Sequence, residues 1–120
     1  MGVITIERRD VNDVVILQVS GEITYGKGSD VVLRTTVDTV IAEGMRKLIL
    51  NVSGVTYVDS AGLGQLAQIQ TQAGRSQVAL RLASLSKRLR ELLLATRLLP
   101  LFQVYETEAE ALASLDGAVI

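Results

Sequence analysis

What most constrains this chain is the alternation of short β-branched runs with stretches whose apolar residues recur at helical spacing. Val14-Val15-Ile16-Leu17-Gln18-Val19, Leu48-Ile49-Leu50-Asn51-Val52 and Val78-Ala79-Leu80-Arg81-Leu82 read as strands. Between them, Leu33, Val37, Val40 and Ile41, and then Leu63, Leu66, Ala67, Ile69 and Ala73, each gather on one side of a helix. Strands and helices that follow one another in this way bury their apolar faces against each other, which points to a sheet with right-handed helical crossovers.

The remaining elements follow from local signals. Val3-Ile4-Thr5-Ile6-Glu7 and the run from Val14 to Val19 predict an opening hairpin across Asp10-Val11-Asn12-Asp13. Gly21 to Ser29, rich in glycine and without apolar period, predicts a surface loop leading to a helix capped by Ser29 or Asp30 and ended by Gly44. Ser53-Gly54 is expected to end the next strand, and Gly74 the second helix. Ser86 is a candidate cap for a helix with inner positions Leu89, Leu92, Leu93 and Thr96, stopped by Pro100. Phe102 to Tyr105 predicts a last strand, and Thr107 with Glu110 a capping box for a helix through Ala109, Leu112 and Ala113. The expected fold class is α/β, a small mixed sheet of about four to five strands with about four helices, in one domain over residues 1–120 without repeat or linker.

Composition removes whole classes of function. Aromatics are only 3% of the chain against 48% apolar residues overall, so Val, Ile, Leu and Ala must fill the core by close packing. A net charge of −1 offers no excess of Lys and Arg for a phosphate backbone, so no nucleic-acid partner is expected. With neither histidine nor cysteine, Ser-His-Asp triads, thiolate nucleophiles and the common zinc ligand sets are excluded. No catalytic residue, metal or cofactor is therefore expected. Gly62-Leu63-Gly64-Gln65 lacks the third glycine and the Lys-Ser/Thr pair of phosphate-binding loops. Met1 to Asp10 resembles neither a signal peptide nor a spanning helix, which reads as a cytoplasmic protein.

Two segments carry more. Leu92-Leu93-Leu94 and Leu98-Leu99-Pro100-Leu101 hold more leucine than one buried helix face needs, beside Lys87, Arg88, Arg90 and Arg97. That pattern suits a subunit of a larger assembly, whereas Glu91 interrupts the basic side and argues against a membrane surface. The second segment is Tyr57-Val58-Asp59-Ser60-Ala61-Gly62-Leu63-Gly64, an extended stretch running into a helix start. Asp59 and Ser60 can accept bonds from the first helical N–H groups. Two glycines within one turn cost about 1 kcal/mol each relative to alanine, which a helix bears more readily when a partner needs its bare backbone.

Val58-Asp59-Ser60-Ala61-Gly62-Leu63-Gly64 resembles the motif of the STAS family, in particular the bacterial anti-sigma factor antagonists. Val19-Ser20-Gly21-Glu22-Ile23 is similar to that family's Gly-Glu-apolar signature, and Leu99 to Ala111 to its closing pattern. The resemblance implies that Ser60 is the phosphoacceptor of an anti-sigma factor serine kinase, with a serine phosphatase as a further partner. It also implies a partner-binding surface of Gly21, Glu22, Thr24, Tyr25, Asp59, Ser60, Ala61, Gly62, Leu63 and Gly64, in which the loop from Gly21 to Lys27 joins the helix start. In one respect the chain departs from the family: Thr24 stands where an aspartate commonly follows Gly-Glu-apolar. A scaffold relative that works without phosphorylation, and a homo-oligomer, therefore stay open.

Overall fold

The computed structural model describes residues 4–26 and 28–116. Its order is β1 (Ile4–Val11), β2 (Val14–Ile23), α1 (Ser29–Ala42), β3 (Lys47–Val58), α2 (Ser60–Arg75), β4 (Ala79–Ala83), α3 (Lys87–Ala95), β5 (Val104–Tyr105) and α4 (Glu108–Leu115). The five strands lie in sequence order in one mixed sheet, with β1 antiparallel to β2 and every later pair parallel. This is the expected α/β class, with five strands and four helices.

Strand alternation sorts the core onto two faces. Val15, Leu17 and Val19 of β2, Leu48, Leu50 and Val52 of β3, and Leu80 and Leu82 of β4 face α1, α2 and α3. Those helices answer with Leu33, Val37, Val40, Leu63, Leu66, Ile69, Ala73, Leu89 and Leu93. The intervening residues Val14, Ile16, Ile49, Ala79 and Ala83 pack against Ala111 and Leu115 of α4. Each fully buried Leu or Ile contributes about 1.5–3 kcal/mol. On the α4 side, Glu108 closes the open part of the sheet: Asn51 Nδ2 donates to it at 2.9 Å and Arg9 Nη2 at 2.7 Å.

Several boundaries differ from the sequence reading. Gly21-Glu22-Ile23 belongs to β2 rather than to a surface loop, and Ser53-Gly54 lies inside β3. Both differences come from the same irregularity. The β2–β3 register slips between Gln18/Ser20 and again between Gly21/Glu22, so β3 carries two extra residues across this stretch. Gly54 fits because Ser20 leaves no room for a side chain there, its Cβ 2.9 Å from where a new Cβ would stand. Gly21 has φ +99°, which favours glycine.

The cap of α1 is Gly28, not Ser29 or Asp30, and Ser29 and Asp30 are buried in the first turn. Gly44 does end α1, in the left-handed region at φ +86°. Gly74 remains helical, and Gln77, at φ +58°, makes the turn after α2. Ser86 caps α3 by accepting from Leu89 N at 3.1 Å. The helix then stops at Thr96, before Arg97 at φ +61°, so Pro100 lies beyond it in a short 3-10 turn, Leu99–Leu101. Thr96 is exposed, and α4 does run through Ala109, Leu112 and Ala113, burying Ala111 and Leu115 with Leu112 half-buried beside them. Thr107 caps α4 through Glu110 N at 3.1 Å, while Glu110 returns to the N–H of Glu106 instead of Thr107. Val3 and Lys27 lie outside the described residues. Among the described residues no helix is long and apolar enough to cross a membrane.

Candidate functional site

The irregular end of β3 delivers Tyr57, Val58 and Asp59 to the edge of the main core. Val55 and Val58 turn inward, while Thr56 and Tyr57 face outward. Asp59 is extended at φ −93°, ψ −177°, and its side chain caps α2. One carboxylate oxygen accepts from Gly62 N at 2.8 Å. The other accepts from Tyr25 N at 3.0 Å. A single side chain thus ties the start of α2 to the segment leaving β2. The backbone repeats the tie, because Asp59 N donates to Ile23 O at 3.3 Å.

Both bonds act on the ionised form. The N–H groups of Gly62 and then Tyr25 hold the Asp59 carboxyl below the usual aspartate range, against a smaller opposing effect of burial. Asp59 is accordingly an anchor, a carboxylate that accepts one N–H on each oxygen and is held in its ionised form.

The two glycines of the motif have different reasons. A Cβ on Gly62 would run into the carbonyl oxygen of Ile23 and stand 2.8 Å from Val58 Cγ1, so only glycine lets α2 approach β2 this closely. Gly64 has no atom within 4 Å of the same construction and is exposed. Packing therefore explains Gly62 alone. Ser60, one helical turn before Gly64, is exposed, and Ala61 is half-buried between them and the core. Leu63 is buried, so it supports the surface from beneath instead of forming it.

The segment after β2 is brought to the same place but not as a flexible loop. Thr24 is only 7% exposed. Its N–H donates to Ser29 Oγ at 2.8 Å, and Ser29 Oγ donates back to Thr24 O at 3.2 Å. The Thr24 hydroxyl is buried without a hydrogen-bond partner, as is one carboxylate oxygen of Asp30. Tyr25, by contrast, projects outward at 75% exposure. Gly21 and Glu22 are half-buried, paired with Val55 and Tyr57 of β3. Of the expected surface residues, Tyr25, Ser60 and Gly64 are open to solvent, whereas Thr24, Gly62 and Leu63 are buried. Sequence reasoning missed Ser29 as the brace of this corner. Its only signal was a small hydroxyl after glycine, which also suits an ordinary cap.

The arrangement offers an exposed hydroxyl on the first residue of a helix, where the macrodipole favours an anion. It sits on a base held by Asp59 and Gly62, on a chain segment where Tyr57 is exposed, and Asp59 also holds the backbone of the exposed Tyr25.

Proteins with this architecture are known. The chain is 25% identical to an anti-sigma factor antagonist from Mycobacterium paratuberculosis, at a TM-score of 0.83 and with 96% of each chain covered. It is 26% identical to a putative anti-sigma factor antagonist from Thermotoga maritima, at a TM-score of 0.84, covering 92% of this chain and 94% of that one. With the Bacillus cell fate determinant SpoIIAA in its phosphorylated form it shares the fold, at a TM-score of 0.70, 20% identity and coverage of 92% and 99%. The model of the STAS domain matches residues 5–111, and the chain belongs to the STAS domain family.

Proposed function

We propose that this protein is an anti-sigma factor antagonist whose exposed Ser60 face docks an anti-sigma factor serine kinase and so frees a sigma factor for transcription. Phosphorylation of Ser60 by that kinase ends the docking, and a serine phosphatase restores it. The observation that carries this reading is Ser60 itself, an exposed hydroxyl at the start of a helix whose base is fixed by the Asp59 bonds to Gly62 and Tyr25.

The physics of the switch separates fold from interface. A phosphoserine carries roughly −1.5 to −2 charges at pH 7, and at the amino end of α2 the dipole and nearby N–H groups tolerate it. The fold survives modification. In a docked interface the same charge loses its water, at a cost of about 3–5 kcal/mol when it meets no counter-charge. At about 1.4 kcal/mol per decade this weakens binding roughly a hundred- to several-thousand-fold.

The test is incubation with a recombinant anti-sigma factor kinase and ATP, followed by mass spectrometry and calorimetric binding. Phosphate on Ser60 with loss of affinity is the expected result. Phosphate confined to other residues, or binding indifferent to it, overturns the reading.

A further inference from the structure

The basic, leucine-rich segment beginning at Lys87 has no role in the site described above. Across Lys87 to Arg97 it carries Lys87, Arg88, Arg90 and Arg97 against one acid, Glu91, in a chain whose net charge is −1. Among the described residues none of these four cations meets a carboxylate, whereas Arg8, Arg9, Arg34 and Lys47 each do. Lys87, Arg88 and Arg97 are exposed and Arg90 is half-buried.

The apolar residues of the segment divide by face. Leu89 and Leu93 point into the core, and Leu94 and Leu101 are 56% and 50% exposed. At helical spacing Lys87 and Leu94 share the outer face, while Arg88 and Leu92 turn to the flank that meets β3. There they line a shallow cleft with room for about one water molecule, together with Val55, Tyr57, Val58 and Leu89. The cleft therefore ends on the two residues that precede Asp59 and Ser60. Tyr57, 45% exposed, belongs to its wall.

Resting on the proposed function above, we infer that α3 and Tyr57 form a second half of the docking surface, which takes an acidic segment of the anti-sigma factor carrying an apolar side chain. Charge complementarity fixes the sign of the occupant, and the exposed Leu94 and Leu101 fix the apolar component. The patch reaches Tyr57, which stands three residues before Ser60 in the chain. Because these charges sit at a solvated rim, they act chiefly on encounter rate and salt dependence, while the apolar contacts act on dissociation. A surface of this kind lets related antagonists share the Ser60 motif and still choose different partners.

The experiment compares wild type, Arg88→Glu, Leu94→Ser and Ser60→Asp by surface plasmon resonance against the recombinant kinase at low and high salt, with thermal melts on each variant. Arg88→Glu is expected to slow association about tenfold and to flatten its salt dependence, and Leu94→Ser to speed dissociation several-fold. Melts of both variants should match wild type, since neither side chain is in the core. If Ser60→Asp weakens binding while both α3 variants bind as wild type, this inference falls and the reading of Ser60 stands. If wild type itself binds no such kinase, both fall together. Co-sedimentation with phosphatidylglycerol vesicles, abolished by Arg88→Glu while kinase binding persists, assigns the patch to lipid and overturns the inference as well.

Discussion

Gly62 and Gly64 lie in the same turn of the same helix, and the structure assigns opposite signs to Gly62→Ala and Gly64→Ala. A methyl group on Gly62 meets the carbonyl oxygen of Ile23, stands 2.8 Å from Val58 Cγ1 and 3.0 Å from the Ile23 carbonyl carbon. The oxygen cannot swing away freely, because it also accepts from Asp59 N. Relief requires α2 to withdraw from β2, and overpacking of this kind costs about 1–3 kcal/mol, with immovable backbone at the upper end. Alanine returns about 1 kcal/mol through its better helix propensity. The net expectation for Gly62→Ala is a loss of about 2 kcal/mol. Gly64→Ala meets no atom within 4 Å and should gain about 1 kcal/mol.

For a domain of this size about 1 kcal/mol corresponds to roughly 4 °C in Tm. Calorimetric melts should therefore fall by about 8 °C for Gly62→Ala and rise by about 4 °C for Gly64→Ala. Propensity and unfolded-state effects are common to the two substitutions, so their difference of about 3 kcal/mol isolates the clash with Ile23. Gly62→Ala melting at or above wild type, or Gly64→Ala melting below it, refutes the reasoning.

Asp59→Ala removes a cap and leaves the Tyr25 N–H without its partner, so urea titration should show about 1–2 kcal/mol lost. The Asp59 and Glu108 carboxyls are both held below their ordinary range, Asp59 by N–H donors and Glu108 by Asn51 and Arg9 in opposition to its burial. Their stabilisation is full above the ordinary carboxylate range and is lost as pH falls through and below it, and Asp59→Asn should flatten that acid limb of a stability-versus-pH curve. Ser60→Asp should melt within about 1 °C of wild type, since a carboxylate suits the helix dipole, yet bind the kinase more weakly by calorimetry. Gly64→Ala, though more stable, should also bind more weakly if its bare backbone serves a partner, and unchanged affinity would remove that role.

The legible parts of this fold were those where a local rule and the tertiary demand agree. The apolar faces of α1 and α2 follow directly from Leu33, Val37 and Val40 and from Leu63, Leu66, Ile69 and Ala73, because burial and helical period select the same residues. The caps at Asp59, Ser86 and Thr107 were legible for the same reason. Where the two diverged, the sequence misled. Ser53-Gly54 and Gly21 carry the composition of strand ends but sit within strands, since paired strands can absorb extra residues as bulges and glycine supplies the room. Pro100 drew attention from Arg97, whose left-handed backbone follows the end of α3 three residues earlier.

Thr24 shows the same divergence at the site. Composition placed it in an open glycine-rich loop, at the position where the resemblance expects an aspartate. The structure instead buries it at 7% exposure, its main chain clasped by Ser29 and bonded to Asp30 N, with Asp30 itself 4% exposed. A carboxylate introduced at Thr24 would share that corner with the Asp30 carboxylate, one oxygen of which already lacks a donor. A carboxylate buried there carries a desolvation cost unless a counter-charge accompanies it, and no cation among the described residues pairs even with the neighbouring Asp30. A neutral threonine fits this closed corner, whereas an aspartate after Gly-Glu-Ile would need a counter-charge or a more open segment here. Tyr25 and Ser60 are then the exposed side chains of this corner, and Asp59, which accepts an N–H on each oxygen, is the acid that ties the two segments bearing them together.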